Sequence, residues 1–134
     1  MPATRAQGDA RATLTLRLNL APRGAVGPGK IKLLELVGKT GSISAAGRAM
    51  AMSYRRAWLL IDELNHIFDQ PLVETQLGGK AGGGATLTSF GRKVVGEYRA
   101  MEDEAHAAFG PRLRMLQAHR AKPPQRRRSA KTSV

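Results

Sequence analysis

The chain has 134 residues, no cysteine and a formal net charge of +12, which leaves room for one core of about 100 residues and excludes a disulfide framework or a thiolate metal centre. No apolar run approaches the roughly 18 residues that span a bilayer, and Met1 to Ala12 lacks the apolar stretch of a secretory signal, so a cytoplasmic protein without a membrane partner is expected. Charge is unevenly placed: eight Lys or Arg and no Asp or Glu follow Glu104, so residues 1–104 hold 14 basic against 10 acidic side chains, and most of the imbalance belongs to a tail suited to polyanions or simply to solvation.

Residues 1–12 are too polar to pack and are expected to be disordered, with one domain over 13–116 and a basic disordered tail over 117–134. Leu14, Leu16, Leu18 and Leu20 alternate with polar residues, a period of two that places four leucines on one face of a strand. Pro22, Gly24, Gly27, Pro28 and Gly29 interrupt the chain. Ile31, Leu34, Leu36 and Val37 then follow at helical spacing until Gly38 and Gly41, predicting a helix of about three turns.

Ser42 to Met50, with Ala45, Ala46, Gly47 and Ala49, reads as a short helix of small residues, joined tightly through Ala51 and Met52 to Ser53. Ser53 suits the cap of a helix whose apolar positions are Tyr54, Ala57, Trp58, Ile61, Leu64 and Phe68, closed by Pro71. Trp58 is expected in the core, and Tyr54 fits either core or surface. Leu72 to Leu77 and Ala85 to Thr88 read as two short strands about the glycine-rich tip Gly78 to Gly84. A last helix from Thr88 or Ser89 carries Val94, Tyr98, Met101, Ala105 and Ala108 at alternating steps of four and three, a seam that another helix could fill. Gly110 and Pro111 are expected to end or kink it, with Arg112 to Leu116 available for one more turn.

This order predicts a mainly α fold with a small β-hairpin wing: a winged helix-turn-helix with an N-terminal strand and a long C-terminal helix. Small residues before the turn let two helices approach closely, and the second offers its N-terminal turns to the major groove of double-stranded DNA. Ser53, Tyr54, Arg55 and Arg56 stand at that end. A guanidinium pairs with guanine or grips a phosphate, while hydroxyls and helix N–H groups bind phosphate oxygens. The bland alternative, that the two arginines merely solvate a helix face, is weakened by the surrounding pattern.

The glycine-rich stretch does not make a nucleotide-binding loop, because Glu74 and Ala81 stand where that motif needs Gly and Ser or Thr. Read instead as a wing, it brings backbone and Lys80 to the sugar-phosphate chain, and Arg126, Arg127 and Arg128 of the tail add nonspecific affinity. His66 and His119 have no ligand partner at useful spacing, so no metal and no cofactor is expected. No His stands beside a plausible nucleophile, and Glu102, Asp103 and Glu104 point around a helix, so an enzyme is not expected either.

Gly41-Ser42-Ile43-Ser44, Ser53-Tyr54, Ala57-Trp58, Glu63-Leu64-Asn65, Leu72-Val73-Glu74 and the run Gly78 to Thr88 resemble the N-terminal domain of ModE-type molybdate-responsive regulators over about residues 13–110. The glycine-rich wing followed by Leu87-Thr88 is the most specific part and separates the chain from LysR-type regulators, which share the fold. The resemblance implies DNA binding by Ser53, Tyr54, Arg55, Arg56 and Lys80, and Ser42 and Ser44 at the start of the preceding short helix are further DNA-binding candidates. It also implies a homodimer built by the N-terminal strand and the first and last helices, through Leu16, Leu18, Ile31, Leu34, Val94, Tyr98, Met101 and Ala105. Three departures stand out: Ala51 where the family has Gly in the turn, Thr75 where it has Arg, and a basic tail where its members continue into an oxyanion-binding domain. Neither molybdate sensing nor another small-molecule effector is therefore expected. The expected function is sequence-specific transcription regulation by a homodimer; the alternatives are a protein-interaction module that modulates a longer relative and a nonspecific architectural DNA-binding protein.

Overall fold

The structure, a computed structural model, describes residues 11–76 and 84–122. Of these, residues 14–104 form one compact unit, and residues 11–13 with 105–122 belong to another. Two short antiparallel strands, β1 (Leu18–Leu20) and β2 (Gly24–Val26), precede the helices α1 (Pro28–Thr40), α2 (Ile43–Ala49) and α3 (Tyr54–Ile67). An antiparallel hairpin of β3 (Val73–Gln76) and β4 (Gly84–Leu87) follows, and α4 (Ser89–Ala118) ends the described chain. Three helices, a hairpin wing and a long helix make the winged helix-turn-helix that the sequence pattern predicts. No helix among the described residues is long and apolar enough to cross a membrane.

The leucine alternation is real, but only its end is a paired strand. Leu14, Leu16, Leu18 and Leu20 are all half-buried and the residues between them exposed, yet ladder bonds begin at Leu18, opposite Val26. A strand needs a partner, and β2 offers only three residues.

Local chemistry fixes the helix ends. Pro28 opens α1 after Gly27, and Gly41 closes it at φ 73, its N–H bonded to the Val37 carbonyl. Ser42 caps α2 by accepting from the Ala45 N–H at 3.0 Å, and Ser53 caps α3 through the Arg56 N–H at 3.1 Å. Thr88 starts α4: its hydroxyl accepts from the Gly91 N–H at 2.9 Å and donates to the Pro71 carbonyl at 2.8 Å.

The core gathers Val26, Ile31, Leu33, Leu34, Val37, Ala57, Ile61, Leu64, Leu72 and Tyr98. The Tyr98 hydroxyl donates to the Leu16 carbonyl at 2.7 Å, so the one polar atom of this ring is satisfied inside. Burial pushes the Tyr98 phenol above its ordinary value. Ile31, Leu34 and Tyr98 are fully buried in the chain's own core. This corrects their assignment to a dimer contact, since a side chain with no exposed surface offers none to a second copy.

Pro111 neither ends nor visibly interrupts α4, which runs on to Ala118. A proline removes one backbone bond, here the one toward Ala107, and Ala107 lies exposed where water can bond its carbonyl instead.

Candidate nucleic-acid interface

The turn between α2 and α3 sets the geometry of the site. The Met50 and Met52 N–H groups both donate to the Gly47 carbonyl, at 3.0 and 2.9 Å, and the Ala51 N–H donates to the Arg48 carbonyl at 3.0 Å. Ala51 takes φ 58, the left-handed conformation that glycine adopts without strain. Gly47 is buried against the next helix: a Cβ added there would stand 2.9 Å from the Ala57 Cβ. The absence of that atom lets α2 and α3 cross closely.

Helix α3 buries Ala57, Ile61 and Leu64 and turns its N-terminal residues outward. Ser53, Tyr54, Arg55 and Arg56 are all exposed and sit together on its first turn. Among the described residues neither Arg55 nor Arg56 has an ion pair, whereas the acids of this helix lie beyond it. Asp62 stands 3.6 Å from His66, and Glu63 pairs with Lys30 at 2.8 Å. The outer face of α3 is therefore cationic at its N-terminal end and acidic toward its C-terminal end, with the helix dipole adding positive potential where the arginines stand.

Ser42 and Ser44 lie at the start of α2. The Ser42 hydroxyl is occupied as an acceptor by its capping bond, and the Ser44 hydroxyl accepts from an Arg48 N–H at 2.9 Å. Both hydroxyls keep a proton that can be donated to a phosphate. Lys80, Arg126, Arg127 and Arg128 lie outside the described residues.

Trp58 is 43% exposed and Leu59 47% exposed, so the core placement expected for Trp58 does not hold. Its four-residue spacing from Tyr54 reads as a buried stripe, but the stripe that packs is Ala57, Ile61 and Leu64, and Tyr54 and Trp58 flank it. Arg56 borders an open cleft of about 410 Å³ whose lining includes Met50, Met52, Leu60, Lys30 and Arg17. Among the described residues no cluster of His, Asp or Glu is placed to hold a metal ion.

Asn65, which carries no functional reading in the sequence, sets the wing on the helix. Its side-chain oxygen accepts from the Leu72 and Val73 N–H groups at 2.8 and 3.1 Å, and its Nδ2 donates to the Val73 carbonyl at 3.0 Å. The available signal was an asparagine inside an amphipathic helix, where its propensity is poor unless its amide has a partner. On the far strand, the Ala85 N–H donates to the Gly41 carbonyl at 2.9 Å. The hairpin is thus tied to α3 through β3 and to the end of α1 through β4.

Of the apolar positions assigned to a second copy, Leu16, Leu18, Val94 and Ala105 are half-buried, and Met101 is exposed. Helix α4 exposes Phe109, Met115 and Leu116 as well. On the inner side of α4, Arg99 grips Glu35 with two bonds of 2.8 and 2.7 Å and Glu102 with a third of 2.6 Å. These bonds hold the Glu35 carboxyl below the usual carboxylate range and raise the Arg99 guanidinium further.

Comparison with known proteins agrees with this geometry. Residues 29–92 match the family model of the bacterial regulatory helix-turn-helix protein, lysR family. The chain is 42% identical over 80 residues to the molybdenum transport protein ModE of Azotobacter vinelandii, covering 60% of this chain and 30% of that one. It is 38% identical over 99 residues to the molybdenum-pterin-binding protein MopA of Rhodobacter capsulatus, covering 74% and 37%. Over 99 residues it is 35% identical to the DNA-binding transcriptional dual regulator ModE of Escherichia coli strain K12, covering 74% and 38%. The matches therefore span between 30% and 38% of the length of these relatives.

Proposed function

We propose that the chain is a sequence-specific transcription regulator that binds DNA as a homodimer, a reading supported by the match of residues 29–92 to the lysR-family helix-turn-helix model and by the similarity to ModE proteins. One observation carries the reading. Arg55 and Arg56 are exposed on the first turn of α3, beside a serine cap, and have no ion pair among the described residues, while the acids of the same helix lie further along it. Such a helix enters a major groove by its N-terminal end: the arginines reach guanine edges or phosphates, and the acidic end stays clear of the backbone.

The hairpin then lies over the adjacent sugar-phosphate chain at an angle set by Asn65. Ser42 and Ser44 contribute phosphate contacts from the start of α2. Exposed Met101 and the half-buried Leu16, Leu18, Val94 and Ala105 supply apolar surface to a second copy. Two recognition helices related by a two-fold axis require half-sites about one helical turn apart.

Selection of sites from a randomised duplex library at about 150 mM salt, where exposed charges are partly screened, tests this reading. A two-fold-related consensus is expected. Replacing either Arg55 or Arg56 by Ala should weaken binding to it by about tenfold or more. Binding without any enriched sequence would leave only a nonspecific architectural role, and no binding would leave a protein-interaction module.

A further inference from the structure

A single exposed leucine is ordinary on a protein surface, and it is the position of Leu59 on α3 that gives it meaning. Leu59 is 47% exposed and lies on the side of α3 opposite the buried Ala57, Ile61 and Leu64. It stands four residues after Arg55, one turn further along the same face. Asp62 follows within the next turn, and its charge disfavours phosphates near that part of the helix, whereas Glu63 is already paired with Lys30. Arg55 and Leu59 are thus the outward residues of the two turns that fit inside a groove.

We propose that Leu59 is a specificity-determining residue that reads the C5-methyl group of thymine. The inference rests on the DNA-binding reading above. A leucine side chain has no hydrogen-bonding group, so it cannot distinguish the donors and acceptors of the base edges. The apolar feature those edges present in the major groove is the thymine methyl group. Leucine beside it removes apolar surface from water on both partners, whereas a cytosine amino group in the same place would lose water without gaining a bond. Trp58 is also exposed, but it lies on the flank that carries Asn65, the residue bonded to β3, so Leu59 is the apolar side chain aimed between the strands of the duplex.

Deoxyuridine differs from thymidine only by that methyl group, which makes the test direct. Each thymine of the selected duplex is replaced by uracil in turn, and affinity is measured for the full chain and for Leu59→Ala, a change at a surface position that leaves the core intact. One or two positions in each half-site should lose about three- to fivefold in affinity on losing the methyl group, and Leu59→Ala should bind thymine and uracil duplexes equally there. Uracil substitutions without effect at every position, or an equal loss in Leu59→Ala, would overturn the assignment while leaving the DNA-binding reading in place and would hand the leucine to a protein partner. Failure to recover any consensus would instead remove the reading itself, and this inference with it.

Discussion

Gly47 and Ala57 meet so closely that a single carbon added to the first would stand 2.9 Å from the Cβ of the second. Few Cβ contacts in proteins are that short, so the crossing of α2 over α3 depends on glycine at position 47. Replacing it by Ala raises helix propensity by about 1 kcal/mol but forces two packed helices apart, an overpacking that costs about 1–3 kcal/mol. Gly47→Ala should therefore destabilise the domain by about 1 kcal/mol in chemical denaturation and weaken DNA binding through the changed helix angle. A variant as stable as the parent, with unchanged binding, would show that the two helices tolerate separation.

The turn itself should respond in the opposite direction. Ala51 holds φ 58, a conformation that costs an L-residue about 1–2 kcal/mol and glycine almost nothing. Glycine gives back part of that gain through its greater freedom in the unfolded chain. Ala51→Gly is expected to raise stability by about 0.5–1 kcal/mol, read as a higher melting temperature, with site preference unchanged. A drop in stability would mean that this turn relaxes away from the left-handed region.

These two positions also show what a sequence can and cannot disclose. The close helix approach and the strained turn are both legible, because glycine at 47 and alanine at 51 are local statements about space and backbone. The leucine period of residues 14–20 correctly gives which side chains share a face. It does not reveal where pairing begins, which depends on the three residues that β2 can offer. Periodicity likewise places Tyr98 on an apolar seam of α4 but cannot name what covers it. The cover is the chain's own core, with the Leu16 carbonyl holding the hydroxyl. Trp58 fails for the related reason that a helix face has flanks, and spacing alone does not separate the flank of a stripe from its centre.

Asn65 is expected to matter more than its polarity suggests. It satisfies the N–H groups of Leu72 and Val73, both buried residues, and bonds the Val73 carbonyl as well. Asn65→Ala leaves those groups unpaired, at about 1–3 kcal/mol for each buried group that water cannot reach. The expected loss in denaturation experiments is about 2 kcal/mol, with a weaker grip on DNA because the hairpin loses its tie to the recognition helix. Asn65→Asp keeps the acceptor and loses one donor, so it should fall between the two. An alanine variant within about 0.5 kcal/mol of the parent would mean that solvent reaches β3 freely.

The pair Arg99 and Glu35 joins α4 to α1 and gives stability a pH dependence of known sign. Two bonds from the guanidinium depress the Glu35 carboxyl below its ordinary value, against a smaller opposing effect of burial. A carboxyl whose folded value lies below its unfolded one binds fewer protons in the native state. Its contribution is therefore complete above the unfolded value, about 4.3, and is lost as pH falls through the depressed folded value. Both side chains keep more than a third of their surface in water, so screening holds this contribution well below that of a buried pair. The difference in stability between the parent and Glu35→Gln should be constant from neutral pH down to about pH 5 and should shrink on further acidification. It should also narrow in high salt, as expected for a pair that water reaches. A difference that grows on acidification, or that ignores pH entirely, would show that Glu35 acts through packing and not through its charge.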